Sequence, residues 1–95
     1  MDRDRRVFRV HAVRRMWQRG VTRADVRHVL EPGQIIESCP NDVPYPSRLV
    51  LGWHDLRPIH AVAADDSTSQ VTIVITVDEP DPGEWESGYS RRKTH

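Results

Sequence analysis

The stretch HAVRRMWQRG, residues 11–20, repeats a basic side chain every fourth position, at His11, Arg15 and Arg19. Residues four apart share one face of a helix, so a helical segment would stack these three in a row. Farther on, RPIHAVA sets Arg57 three residues before His60 in an apolar, β-branched context. Two imidazoles and several guanidiniums, without an acidic cluster arranged for Mg²⁺, are the groups that metal-independent RNA cleavage requires. One histidine would deprotonate the 2′-hydroxyl and the other would protonate the leaving oxygen, each step worth about 10²- to 10⁴-fold. Arginines would stabilise the charge on the pentacoordinate phosphate, and a 2′,3′-cyclic phosphate would remain. Each residue also has a plainer reading. His60, between Ile59 and Ala61 in a strand, projects to the face opposite those two and serves equally as a hydrogen-bonded core histidine. His11 can be an exposed residue in the first turn of its helix, and the arginine row a solvated face.

The elements that position these residues follow from period and punctuation. On a helical wheel for residues 7–19, Val10, Val13 and Trp17 cluster on one side and His11, Arg15 and Arg19 lie nearly opposite, an amphipathic pattern. Gly20 stops that helix. Thr22 with Asp25 three residues later resembles a capping box for a second helix with an apolar stripe at Val26, Val29 and Leu30, ended by Pro32 and Gly33. The second half changes period: QIIES, RLVLGW, RPIHAVA and QVTIVITV read as strands, with tight connections near HDL and DDSTS and VTIVITV as a central strand. The expectation is one α+β domain over residues 1–95, its core at about 9–88. Two N-terminal helices pack on one face of a three- or four-stranded antiparallel sheet, and GEWES is the place for a short C-terminal helix.

Composition narrows the function classes. Ninety-five residues hold one modest core, and no apolar run of membrane-spanning length or signal-type N-terminal segment occurs, so a soluble cytoplasmic protein without membrane contact is expected. Cys39 is the only cysteine and sits beside Pro40, a turn residue rather than a nucleophile. The formal net charge of zero hides an asymmetry: residues 1–30 carry nine arginines against three acids, and the remainder cancels that excess. No nucleotide-binding glycine motif, nucleophile elbow or metal-ligand spacing is present, so neither a cofactor nor a metal is expected. The aromatics Phe8, Trp17, Tyr45, Trp53, Trp85 and Tyr89 suit either a small core or base stacking.

Four motifs occur in order: HAVRRMWQRGV, PYPSRLVLG, RPIHAV and TVDEPDPGEW. In that combination the sequence resembles the bacterial family known as domain of unknown function 4258, over about residues 9–93. The resemblance implies a likeness to RelE/ParE-like toxins, with a barnase-like fold of helices followed by an antiparallel sheet, and a small antitoxin protein as partner. It also implies recurring polar positions at His11, Arg15, Arg19, Arg57 and His60. One position departs from the family: Asp78 stands where a tyrosine is usual, and a carboxylate cannot stack a base and repels phosphate.

These readings define three expectations. The first is a toxin-like endoribonuclease acting on RNA, free or as ribosome-bound mRNA, with His11, His60 and Arg57 catalytic and Arg15 and Arg19 binding substrate. The second is a noncatalytic interaction module that binds an acidic protein partner through the basic N-terminal helices. In the third, His11, Arg15 and Arg19 pair with the acidic segment around Asp78, Glu79, Asp81, Glu84 and Glu86 and staple helix to sheet. Edge strands of a small open sheet could also pair two copies as a homodimer.

Overall fold

The computed structural model describes residues 6–94; Arg3 and Arg5 of the basic N-terminal segment, with Asp2, Asp4 and His95, lie outside the described residues. The chain runs β1 (Arg6–Phe8), α1 (Val10–Arg19), α2 (Arg23–Leu30), β2 (Gln34–Cys39), β3 (Ser47–His54), β4 (Arg57–Asp66) and β5 (Val71–Asp78). The strands form one five-stranded sheet in the order β1-β5-β4-β3-β2. An α+β architecture with two helices is therefore present, but the sheet is mixed and has five strands instead of three or four. β2 to β5 form an antiparallel meander, and β1 adds in parallel to β5 with Val7 opposite Ile73. VTIVITV is interior, between β1 and β4, while β4 is the middle strand.

Local chemistry explains the helix boundaries. Gly20 ends α1 in the left-handed region at φ 67°, its N–H returning to the carbonyls of Met16 and Trp17, a conformation that costs glycine nothing sterically. Thr22 and Asp25 form the full capping box of α2: the Thr22 hydroxyl accepts from the Asp25 N–H, and the Asp25 carboxylate accepts from the Thr22 N–H. The β3–β4 hairpin turns at Asp55 and Leu56, with Asp55 at a φ of 57° that Asp tolerates better than most side chains.

The helices cover one face of the sheet. Ala12 and Met16 of α1 join Val21, Val26, Val29, Val50, Ile59, Ala61, Val74 and Val77 in the core, with Phe8 and Leu30 packed against it. The first helix is amphipathic as expected, yet the Val10–Val13–Trp17 side is not the buried one: Val10 is 72% and Trp17 87% exposed. Arg9 alone links β1 to α1, and its N–H is tied to the Val74 carbonyl. The strand therefore dictates where the helix begins its first turn, and the Ala12–Met16 row faces the sheet.

No helix forms at GEWES. The Asp81 carbonyl accepts from the Glu84 and Trp85 N–H groups, but the next N–H, of Glu86, goes to the Arg91 carbonyl. One turn forms and the chain then reverses, aligning Trp85 with Arg92 in an isolated antiparallel bridge. Two prolines, Pro80 and Pro82, precede the segment, and a nucleus of one turn without further hydrogen bonds does not propagate.

α2 lies so close to β3 that the Gly52 position has no room for a side chain: a Cβ there would stand 2.6 Å from the Val29 Cα. Gly52→Ala should therefore lower stability by about 1–3 kcal/mol through forced separation of helix and sheet. Urea denaturation checks this, with a lower midpoint expected and an unchanged slope.

Candidate functional site

Arg15 and Arg19 project from α1 toward the end of β5, where Asp78 and Glu79 meet them. The Nε and Nη2 of Arg15 both donate to Asp78 Oδ2, at 3.0 and 2.6 Å, and Arg19 Nε lies 3.5 Å from Asp78 Oδ1. Arg57, at the start of β4, forks onto Glu79 with Nε–Oε2 at 3.0 Å and Nη2–Oε1 at 3.3 Å, and its Nη2 also donates to the Arg19 carbonyl. Arg19 Nη1 completes the group 4.0 Å from Glu79 Oε1. Hydrogen bonding from Arg57 holds the Glu79 carboxyl below its usual range, and the same bond raises the Arg57 guanidinium. Three cations and two anions leave one net positive charge, so a phosphate entering here would compete with two carboxylates already in place. The arrangement matches the helix-to-sheet staple for Arg15 and Arg19; His11 takes no part in it.

His60 stands elsewhere. Ile59 and Ala61 face the helices, and alternation along β4 turns His60 to the other face. There the segment 85–92 crosses the sheet from β4 to β2. The Trp85 ring meets the imidazole edge-on at 4.4 Å, and His60 Nε2 lies 2.8 Å from the Tyr89 carbonyl oxygen. A carbonyl only accepts, so Nε2 carries the proton and donates. Arg92 lies 4.6 Å over the Trp85 ring and pairs with Glu37 of β2 at 2.6 Å, while Tyr89 packs edge-on against Trp53 at 6.2 Å. Burial is the largest influence on His60 and lowers its pKa from 6.5; the Tyr89 carbonyl and Glu37 push the other way.

The sequence-derived residues thus divide into three places. Arg15, Arg19 and Arg57 come together in one network. His60 shares β4 with Arg57, but an odd separation along a strand puts the two on opposite faces. His11 is exposed on α1, its side chain making no hydrogen bond or ion pair among the described residues. Trp85 and Tyr89 meet His60 although nothing local in the tail links it to a strand some 25 residues earlier. His54 Nδ1 also lies 3.2 Å from Asp25 Oδ1, where β3 ends beside the start of α2.

The model of a protein family described as "Domain of unknown function (DUF4258)" matches residues 8–78. The chain belongs to the DUF4258 family. No curated protein and no solved structure matches it. The DUF4258 match takes in both helices, His60, the three arginines of the network and Asp78, and ends there. Glu79, Trp85, Tyr89 and Arg92 lie beyond it, so the second face of the DUF4258 sheet is covered by a segment outside the matched region.

The two clusters respond differently to perturbation. The Arg57→Ala substitution removes the Glu79 fork and the bond to the Arg19 carbonyl, both partly solvated, and should cost about 1 kcal/mol by urea denaturation. For His60 the folded-state pKa is depressed below 6.5, so as pH falls the unfolded chain takes up the proton first. Stability is then lost from pH 6.5 down to the folded value and does not return below it. Glu37 and Glu79 are held below 4.5 and release their contributions only at lower pH. Denaturation midpoints measured from pH 7.5 to 5 should therefore fall more in the parent than in a His60→Gln variant.

Proposed function

We propose that the chain is a noncatalytic interaction module that binds an acidic protein partner through its basic N-terminal helices. The observation that carries this reading is the occupation of Arg15, Arg19 and Arg57 by Asp78 and Glu79. Arg14 and Arg27 on the outer sides of the same helices make no ion pair among the described residues. Guanidiniums already matched by carboxylates offer little to phosphate, whereas unmatched ones steer an acidic surface toward the helices. The cytoplasm, a RelE/ParE-like kinship and a small antitoxin protein as the acidic partner belong to the same reading, supported by two helices that precede an antiparallel meander.

A metal-independent endoribonuclease draws less support from this geometry. Its acid–base pair would be His60, engaged with Trp85 and the Tyr89 carbonyl on one face, and His11 on the exposed side of a helix lying on the other.

The test has two arms. Total RNA incubated with the chain in excess EDTA, with and without ribosomes, should stay intact beside a His60→Gln control. A labelled oligo-glutamate peptide should bind at low ionic strength and dissociate as salt rises, and the paired Arg14→Glu and Arg27→Glu substitutions should abolish that binding. RNA fragments with cyclic-phosphate ends that vanish in the His60→Gln lane would restore the ribonuclease.

A further inference from the structure

We infer that the exposed face of α1 formed by Val10, Val13 and Trp17, with Phe8 beside it, is a docking surface for an acidic amphipathic helix of a partner protein. The inference rests on the interaction-module reading and adds the site and the shape of the occupant. Trp17 is 87%, Val10 72% and Val13 42% exposed. The helix already buries a separate row, Ala12 and Met16, so this stripe is not spent on the fold. Isolated apolar residues on a surface are ordinary, but these are contiguous: Phe8, Val10, Val13, Arg14, Trp17 and Gln18 line a single shallow cleft of about 520 Å³.

Spacing selects a helix as the occupant. Val10, Val13 and Trp17 recur at i, i+3 and i+7, the seam along which two helices interlock. An added strand would find, among the described residues, only the three of β1 to pair with, too short a ladder to anchor it. A tryptophan one helical turn from an arginine also has the composition of a binding hot spot.

Charge selects the sign of the occupant. Arg14 lines the cleft without an ion pair among the described residues, and the Arg23 guanidinium sits 5.1 Å over the Phe8 ring at its margin. Among the described residues no carboxylate lines the cleft. A second copy docked symmetrically would bring Arg14 and Arg23 of both chains into one interface and repel. Nucleic acid would meet mostly apolar side chains here. A lipid surface favours a protruding ridge, whereas a cleft between Phe8 and Trp17 accepts a knob from a partner helix.

Fluorescence anisotropy of the whole chain with a designed peptide tests this. The probe is a labelled helix of about 18 residues with Leu at i, i+3, i+4 and i+7 and Glu opposite; its control has the same composition in scrambled order. The amphipathic peptide should bind at least about tenfold more tightly than the scrambled one, and Trp17→Ala or Arg14→Glu should each weaken it by about tenfold or more. Circular dichroism should show an unchanged fold, since both side chains are exposed. Equal binding of the two peptides, untouched by Trp17→Ala, would overturn the docking surface and leave the charge-driven module standing. Binding of neither peptide would overturn both. Concentration-dependent dimerisation lost in Trp17→Ala would assign the face to a second copy, and preferential binding to phosphatidylglycerol vesicles would assign it to a membrane; either outcome overturns the inference.

Discussion

Alternation along the middle strand of the sheet sorts nearly everything else in this molecule. Ile59 and Ala61 of β4 point toward α1 and α2 and are completely buried there, and His60 between them is turned to the opposite face. The same period places Arg57 on the helix side, within reach of Glu79 and the Arg19 carbonyl. Two kinds of chemistry are segregated as a result. Guanidiniums and carboxylates gather at one edge of the helix-covered face, while His60 and Trp53 meet two aromatic side chains of the tail on the other.

Magnitudes decide which contacts set the pose of α1. The pairs joining Arg15 and Arg19 to Asp78 and Glu79 are partly solvated and contribute about 0–1 kcal/mol each. Burying Met16 contributes about 1.5–3 kcal/mol, and Ala12 beside it lets the helix backbone approach the sheet. The one-residue link through Arg9 removes most of the remaining rotational freedom. The ion pairs then form where this pose brings them, and the helix presents Val10, Val13 and Trp17 to solvent. A tryptophan on that side is displayed because the connection and the small residue opposite it fix the phase of the helix.

Much of the architecture was legible because its causes are local. The Thr22–Asp25 box, Gly20 at the end of α1, the two hairpins and the period-two segments rest on residues within a few positions of one another, and each stands where the sequence indicated. β1 was not legible: three residues, Arg-Val-Phe, carry no alternation, and they become a strand only because β5 offers them a free edge. The path of the tail is hidden for a related reason. Its tryptophan and glutamates suit a helix locally, but the Glu86 N–H finds its partner at Arg91 and Trp85 finds His60 across the sheet. Of the candidate site, the convergence of Arg15, Arg19 and Arg57 depended on the pairing of β4 with β5, which no local pattern encodes. The separation of Arg57 from His60, by contrast, was already implied by their odd spacing in one strand.

By itself the sequence determined the residue types available for chemistry, the two helices, the meander and the basic bias of the first thirty residues, because propensity, capping and periodicity act over short distances. Tertiary structure alone decided which charges are matched and which stay free. Asp78 reaches Arg15 across 63 residues of chain only after the core has placed α1 on β5, and the same packing event leaves the apolar side of α1 without a partner among the described residues.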